Sequence, residues 1–170
     1  MRHLARVQSA SAQGSAPESG ELTRFCTHCA SLFDGPSIPA GGRPLRGRVC
    51  ARCGLGVVLT CAGDMLTGPG EAFLVVTADL RVSAASEAAE HLFQVPEGTY
   101  GRPLLSLMTS PEGVSELSRR VVMAANGSQA MTTIQVEPAS SRLPEGVLEA
   151  RIGSCGEPPA ALVVLEPSMR

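Results

Sequence analysis

The sequence predicts an α+β fold in which a small cysteine-rich module precedes a domain built on an antiparallel sheet. Five of the six cysteines fall between residues 22 and 61. From residue 72 onward, apolar runs with strand periodicity stand before and after stretches with helical spacing. Strands grouped in this way, rather than alternating one by one with helices, are typical of α+β proteins.

Four segments follow one another along the chain. Residues 1–21 are rich in Ser, Ala, Gly, Gln and Glu without sustained periodicity, which predicts a disordered leader. Residues 22–61 form the cysteine-rich module. Residues 62–71, AGDMLTGPGE, contain the Gly and Pro typical of a linker or turn. The last domain spans residues 72–167, and its roughly 95 residues suffice to bury one core.

Two Cys-x2-Cys pairs dominate the first module. Cys26 and Cys29 form one pair, Cys50 and Cys53 form the other, and twenty residues separate the two pairs. Each pair can direct two thiolates at one ion, and a tetrahedral zinc ion takes four such ligands at about 2.3 Å. The connector between the pairs is dense in Pro and Gly, which predicts a loop or short hairpin.

The pattern over residues 22–61 resembles a zinc ribbon, and the resemblance implies a structural zinc held by all four cysteines. A segment this short and this rich in Gly and Pro has too little apolar mass to fold alone, so metal binding would supply its folding free energy. Iron with the same ligands is the alternative, which the scarcity of aromatic residues disfavours. Gly54 after the second pair suits a turn with positive φ, whereas Ala30 follows the first pair.

Four further residues have weaker claims to chemistry. His28 lies inside the first Cys-x2-Cys turn and is interpreted as a spacer, because four cysteines are already present. Cys61 ends the apolar run GVVLT and is interpreted as a packing thiol, with a resolving thiol as the alternative. Cys155 is expected in a loop or strand, and His91 is expected on the surface of a short helix.

The second module begins with two predicted strands, AFLVVTA from residue 72 and LRVS from residue 80, joined by a turn at Asp79. Apolar residues then recur with helical spacing from Ala85 to Phe93, and Ser86 is the predicted N-cap. The segment GRPLLSLM predicts a short helical turn.

A longer helix is predicted over residues 111–125. Ser110 is its N-cap candidate, Pro111 occupies the first helical position, and Asn126-Gly127 ends it. Three strands close the domain, MTTIQV, VLEARI and ALVVLE, the last of which ends at Pro167.

Residues 72–167 resemble a PAS domain. The helix from Ser86 to Leu92 and the sequence Gly101-Arg102-Pro103-Leu104 carry the resemblance. Ser86 stands where many PAS domains have Asn, and Gln94 stands where Gly is common. The resemblance implies a five-stranded antiparallel sheet that cups short helices, in a sensory or protein-interaction module.

Some PAS domains hold a ligand between sheet and helices. The candidate residues for lining such a cavity are Leu92, Phe93, Leu104, Leu107, Val121 and Ile134. The same residues would equally fill a packed core, because pockets and cores share composition. No haem or flavin is expected: the long helix has no His, and no Asn-Cys-Arg motif follows Phe93.

Net charge is unevenly divided, with seven Arg against three acids in residues 1–60 and seven Arg against thirteen acids in residues 61–170. All basic residues are Arg. Five of them, Arg24, Arg43, Arg46, Arg48 and Arg52, make nucleic-acid binding by the ribbon an alternative function. The modest charge and scarce aromatics argue against it. The sequence has no apolar run of roughly 20 residues and no apolar core of a signal peptide. We therefore expect a cytoplasmic location and no membrane partner.

The sequence contains no catalytic signature such as Gly-x-Ser-x-Gly or a phosphate-binding Gly-Lys-Ser/Thr. We therefore expect a non-enzymatic signalling or regulatory protein with a structural zinc. Its expected partner is an unidentified protein, a second copy of the chain, or a small apolar ligand. Both resembled families commonly act in transcription regulation, which is an analogy of fold. A zinc–thiolate redox sensor is a further alternative.

Overall fold

The computed structural model describes residues 22–33, 48–128, 130–139 and 147–168. The predicted leader over residues 1–21 and the connector between the cysteine pairs, residues 34–47, lie outside these ranges. A short 3-10 helix spans Leu104–Ser106. Two α-helices and ten strands form within the described residues. They are β1 (Leu22–Cys26), β2 (Leu32–Phe33), β3 (Arg48–Val49), β4 (Val57–Ala62), β5 (Ala72–Val76), β6 (Val82–Ala85), α1 (Glu87–Phe93), β7 (Met108–Thr109), α2 (Val114–Ala125), β8 (Thr132–Pro138), β9 (Leu148–Cys155) and β10 (Ala160–Pro167).

All strands pair antiparallel, and the main sheet runs in the order β2-β1-β4-β9-β10-β5-β6. Strands β8 and β4 pair with the same edge of β9. Strand β8 pairs with it from Leu148 to Ile152, and β4 pairs with it at Cys155. The cysteine-rich module therefore continues the sheet of the second module. The mixed fold with an antiparallel sheet agrees with the α+β prediction.

One face of the sheet packs against the two helices. This first core combines strand residues such as Leu74, Ile152 and Val163 with Leu117 and Val121 of α2. All five are fully buried. Burial of apolar surface stabilises a fold by about 25 cal/mol per Å². We therefore expect this core to be the main contribution to the stability of residues 72–167.

The opposite face of the sheet packs against the cysteine-rich module. Phe25 of β1 meets Phe73 of β5 edge to face, with ring centroids 5.3 Å apart. Met65 and Leu66, from the segment expected to be a linker, are 0% and 3% exposed in this second core. Both faces of strands β5 and β10 are consequently buried. Neither helix of the described chain is long and apolar enough to cross a bilayer.

The six residues proposed to line a ligand cavity all belong to the first core. Phe93, Leu104, Leu107, Val121 and Ile134 are at most 4% exposed, and Leu92 packs against them half-buried. Their side chains therefore contribute to the packing that joins the helices to the sheet.

The predicted start of the long helix is wrong by three residues. Helix α2 begins at Val114, and Gly113 precedes it with φ of 104°, a value incompatible with helical backbone. Ser110 instead accepts a hydrogen bond from the Glu112 N–H in a turn, at 3.1 Å. The short helix α1 does begin as predicted, because Ser86 Oγ accepts from the Ala89 N–H at 3.2 Å.

Candidate metal centre

Sheet pairing brings the two cysteine pairs together. Cys26 is the last residue of β1, and Cys50 directly follows β3. Both strands pair with β4: Val58 is opposite Cys26 on one side and opposite Arg48 on the other. Since β1 and β3 flank the same strand at the same level, the turns that follow them face each other.

The four sulfur atoms of Cys26, Cys29, Cys50 and Cys53 all lie within 4.8 Å of one another. Cys26 Sγ is 3.7 Å from Cys53 Sγ, and Cys29 Sγ is 4.0 Å from Cys50 Sγ. A tetrahedral ion with ligands at about 2.3 Å requires sulfurs separated by about 3.8 Å. The four cysteines can therefore hold a metal ion.

The centre is sheltered on one side. Cys26 and Cys50 are 0% and 1% exposed, whereas Cys29 and Cys53 are half-buried. Val58 packs beneath the sulfurs, with Phe33 beside them. An ion bound here would have two buried ligands and two nearer the solvent.

Backbone N–H groups point at the sulfurs of both turns. The His28 N–H donates to Cys26 Sγ at 3.4 Å. Hydrogen bonds from the Gly56 and Leu55 backbone lower the pKa of the Cys53 thiol to about 6. Such donors favour the thiolate form, which is the form that binds a metal.

Burial and hydrogen bonding have opposite effects on the pKa values of the other two thiols with shifted values, Cys29 and Cys26. At Cys29, burial raises the pKa of the thiol, but hydrogen bonds from the hydroxyl and backbone N–H of Ser31 outweigh this effect and lower the pKa overall. At Cys26, burial prevails over the N–H donors and raises the pKa to about 12. The local environment therefore lowers the pKa values of Cys29 and Cys53 and raises that of Cys26.

Residues after each Cys-x2-Cys pair adopt left-handed backbone. Gly54 has φ of 70° and Ala30 has φ of 53°, so the two turns share one geometry although only one carries glycine. Gly56 is more restrictive, because a Cβ there would lie 2.4 Å from Cys26 Sγ and 2.8 Å from the His28 nitrogen. Sequence reasoning singled out Gly54 and missed Gly56, for which the repeated glycine in CGLG was the available signal.

The first turn is anchored to the second module through its backbone. The Glu87 N–H, at the start of α1, donates to the His28 carbonyl at 2.9 Å. Among the described residues, the group able to hold a metal consists of the four cysteines, so His28 and His91 stand outside it. His28 thus contributes its carbonyl as a structural contact.

Cys61 and Cys155 also stand outside the centre. They are opposite each other at the junction of β4 and β9, and they are 2% and 3% exposed. Burial raises the pKa of both thiols, that of Cys61 to about 12. The interpretation of Cys61 as a packing thiol agrees with this environment.

A groove of about 380 Å³ lies between the second cysteine turn and strand β6. Leu55, Val57 and Tyr100 line it and are 75%, 41% and 79% exposed. His28 also reaches it, but none of the described lining residues is an acid or an arginine. The groove is therefore an uncharged, largely apolar surface beside the metal centre.

Comparison with known proteins gave no match, either to a protein-family model or to a curated protein.

Proposed function

We propose that this chain is a non-enzymatic regulatory protein, in which a zinc-holding ribbon is packed on a PAS-like module that acts through protein contact. The observation that carries the proposal is the convergence of four thiols, all within 4.8 Å of one another, where β1 and β3 of a continuous sheet end. Four protein ligands leave no open coordination position, which is typical of structural rather than catalytic zinc.

The resemblance of residues 72–167 to PAS domains has support in the fold. Strands β5, β6, β8, β9 and β10 belong to one antiparallel sheet, and both helices lie on one face of it. The six candidate cavity residues are packed in the core. Their packing favours a protein-interaction role for the module over the binding of a small apolar ligand.

The apolar groove supports a protein as the partner. Leu55 and Tyr100 both line the groove and are largely exposed, and aromatic side chains are enriched at protein–protein interfaces. Nucleic-acid surfaces need clustered basic residues instead. Of the five arginines in the ribbon, Arg43 and Arg46 lie outside the described residues, and the groove is lined by none of the others.

Metal analysis of the purified chain with cysteine variants tests the zinc proposal. We expect close to one zinc per chain in the wild type, and loss of that zinc in Cys53→Ser. Cys61→Ala is the matched control, because it removes a cysteine outside the centre and should retain the metal. Iron in place of zinc, or equal metal content in both variants, would contradict the proposal.

Native mass spectrometry of the freshly purified chain tests the interaction role. A chain that carries zinc and no organic ligand fits an interaction module. A retained small molecule would favour the sensor role and count against the packed core. The same spectrum reports whether the chain associates with itself.

A further inference from the structure

Two cysteines outside the metal centre face each other across a strand junction. Cys61 of β4 and Cys155 of β9 are register partners. The next pair along, Thr60 and Gly156, is joined by a hydrogen bond from the Gly156 N–H to the Thr60 carbonyl at 2.8 Å. In an antiparallel ladder, hydrogen-bonded and non-hydrogen-bonded pairs alternate. Cys61 and Cys155 therefore form a non-hydrogen-bonded pair.

This type of pair suits a disulfide. Its Cα atoms lie about 4.5 Å apart, with the side chains closer than in the other type. Disulfides span Cα separations of about 4.4 to 6.8 Å. Both thiols are free and belong to the same buried cluster. We propose that Cys61 and Cys155 are a disulfide-forming site that joins the ribbon covalently to the sheet of the second module.

A disulfide between Cys61 and Cys155 would join the cysteine-rich module to the second module. Strand β4 carries the metal centre through its pairing with β1 and β3, whereas β9 lies in the second module. Within the described residues, β4 and β9 share a single register pair, Cys61 with Cys155. A bond there would hold the two strands together after the centre has lost its metal.

Thiol–disulfide exchange with a small disulfide supplies the chemistry. The thiolate of one cysteine attacks the small disulfide and releases one small thiolate, which leaves a mixed disulfide on the protein. The second cysteine, as its thiolate, then attacks the protein sulfur of that mixed disulfide and releases the second small thiolate. The two protein thiols lose two electrons and two protons in total. The small disulfide gains both, and it leaves as two thiols.

The two sites should react differently with such an oxidant. A metal bound at the centre would engage its four sulfurs and lower their nucleophilicity, so those cysteines should exchange more slowly than free thiolates. Cys61 and Cys155 carry no metal, but they are 2% and 3% exposed and burial raises the pKa of both. Exchange therefore requires the β4–β9 junction to open, and it should be slow in the closed state.

The test uses the metal-loaded full chain. It is incubated with glutathione disulfide under native conditions, its remaining thiols are alkylated, and the digest is analysed by mass spectrometry. We expect a cross-linked peptide pair that contains Cys61 and Cys155, with the four centre cysteines alkylated after metal removal. A link from Cys61 to a centre cysteine would overturn the proposal. So would full alkylation of Cys61 and Cys155 after prolonged incubation.

Variants keep the result interpretable. Cys155→Ala should abolish the cross-link while the chain keeps its metal, and Cys61→Ala should do the same if the first variant folds poorly. After chelation, amide exchange in β4 should be slower in the oxidised chain than in the reduced chain. Equal exchange rates would overturn the tethering role. None of these readouts depends on which metal the centre holds, so failure here leaves the zinc proposal intact.

Discussion

Gly56 illustrates how one residue sets the distance between the two cysteine turns. A Cβ at this position would lie 2.4 Å from the Cys26 sulfur, closer than any relaxed contact allows. We expect Gly56→Ala to lower metal affinity about 10- to 100-fold, the usual cost of disturbing groups next to metal ligands. Competition with a coloured chelator measures it. Gly68→Ala is the control, because a Cβ at Gly68 meets nothing within 4 Å.

The grouping of the four cysteines was predictable from spacing, whereas its fine geometry was not. Two Cys-x2-Cys pairs in a short Gly- and Pro-rich segment are typical of a metal site, which predicts that the four sulfurs come together. The role of Gly56 depends on the approach of a segment about thirty residues earlier in the chain. No local pattern encodes that approach, because it arises from the pairing of β1 with β4.

Gln94 has a left-handed backbone conformation, which is strained for a residue with a Cβ, and its side chain is exposed. It ends α1 with φ of 47° and ψ of 41°, and its N–H still bonds the Glu90 carbonyl. Glycine reaches this conformation without the steric cost that other residues incur. We expect Gln94→Gly to raise the free energy of unfolding by about 1 kcal/mol in urea titrations. Gln94→Ala, which keeps a Cβ, should show no comparable gain, and an equal gain would exclude backbone strain as the cause.

At the scale of elements, Ser86 joins α1 to the sheet through two hydrogen bonds. Its hydroxyl oxygen accepts from the Ala89 N–H at 3.2 Å and from the Phe73 N–H at 3.0 Å, in a site 1% exposed. Replacement by Ala leaves two buried donors without this acceptor. We expect Ser86→Ala to lower the free energy of unfolding by about 1–3 kcal/mol in urea titrations.

The control for that variant is Ser115→Ala, in the exposed face of α2. Its effect should stay within about 0.5 kcal/mol. If both substitutions lower the free energy of unfolding by the same amount, the effect would come from the removal of a serine in general and not from the loss of the helix cap.

Element types were easier to predict than element boundaries. The cap at Ser86 was readable because Ser and the helical spacing after it point to the same start. At α2, Pro111 and Ser110 indicated a start that Gly113 overrides, since its backbone turns to φ of 104°. A proline that suits a first helical turn equally suits the tight turn found here.

At the scale of the whole molecule, strands β5 and β10 are buried on both faces, whereas the sequence alone predicted only that they are apolar strands. Strand β10, AALVVLEP, is a continuous apolar run, and continuous runs are typical of strands buried on both sides. The helices cover one face. The cysteine-rich module covers the other through Phe25, which contacts Phe73, 48 positions later in the chain, and no periodicity reveals that contact.

This shared core predicts that the metal centre and the sheet lose their structure together. Phe25 is fully buried against Phe73, one residue before Cys26 of the candidate metal centre. We expect Phe25→Ala to lower the free energy of unfolding by about 3–5 kcal/mol. Metal release, followed with a coloured chelator, and the loss of sheet, followed by circular dichroism, should keep one common midpoint in denaturant.

Tyr100→Ala is the matched control, because it removes an aromatic ring that is 79% exposed. Its midpoint should stay near that of the wild type. Separate midpoints for metal release and sheet loss in the wild type would contradict the cooperative assembly, since the cysteine-rich module would then unfold while the second module stays folded. If Phe25→Ala shifts only the midpoint of metal release, Phe25 stabilises the cysteine-rich module and contributes little to the second module.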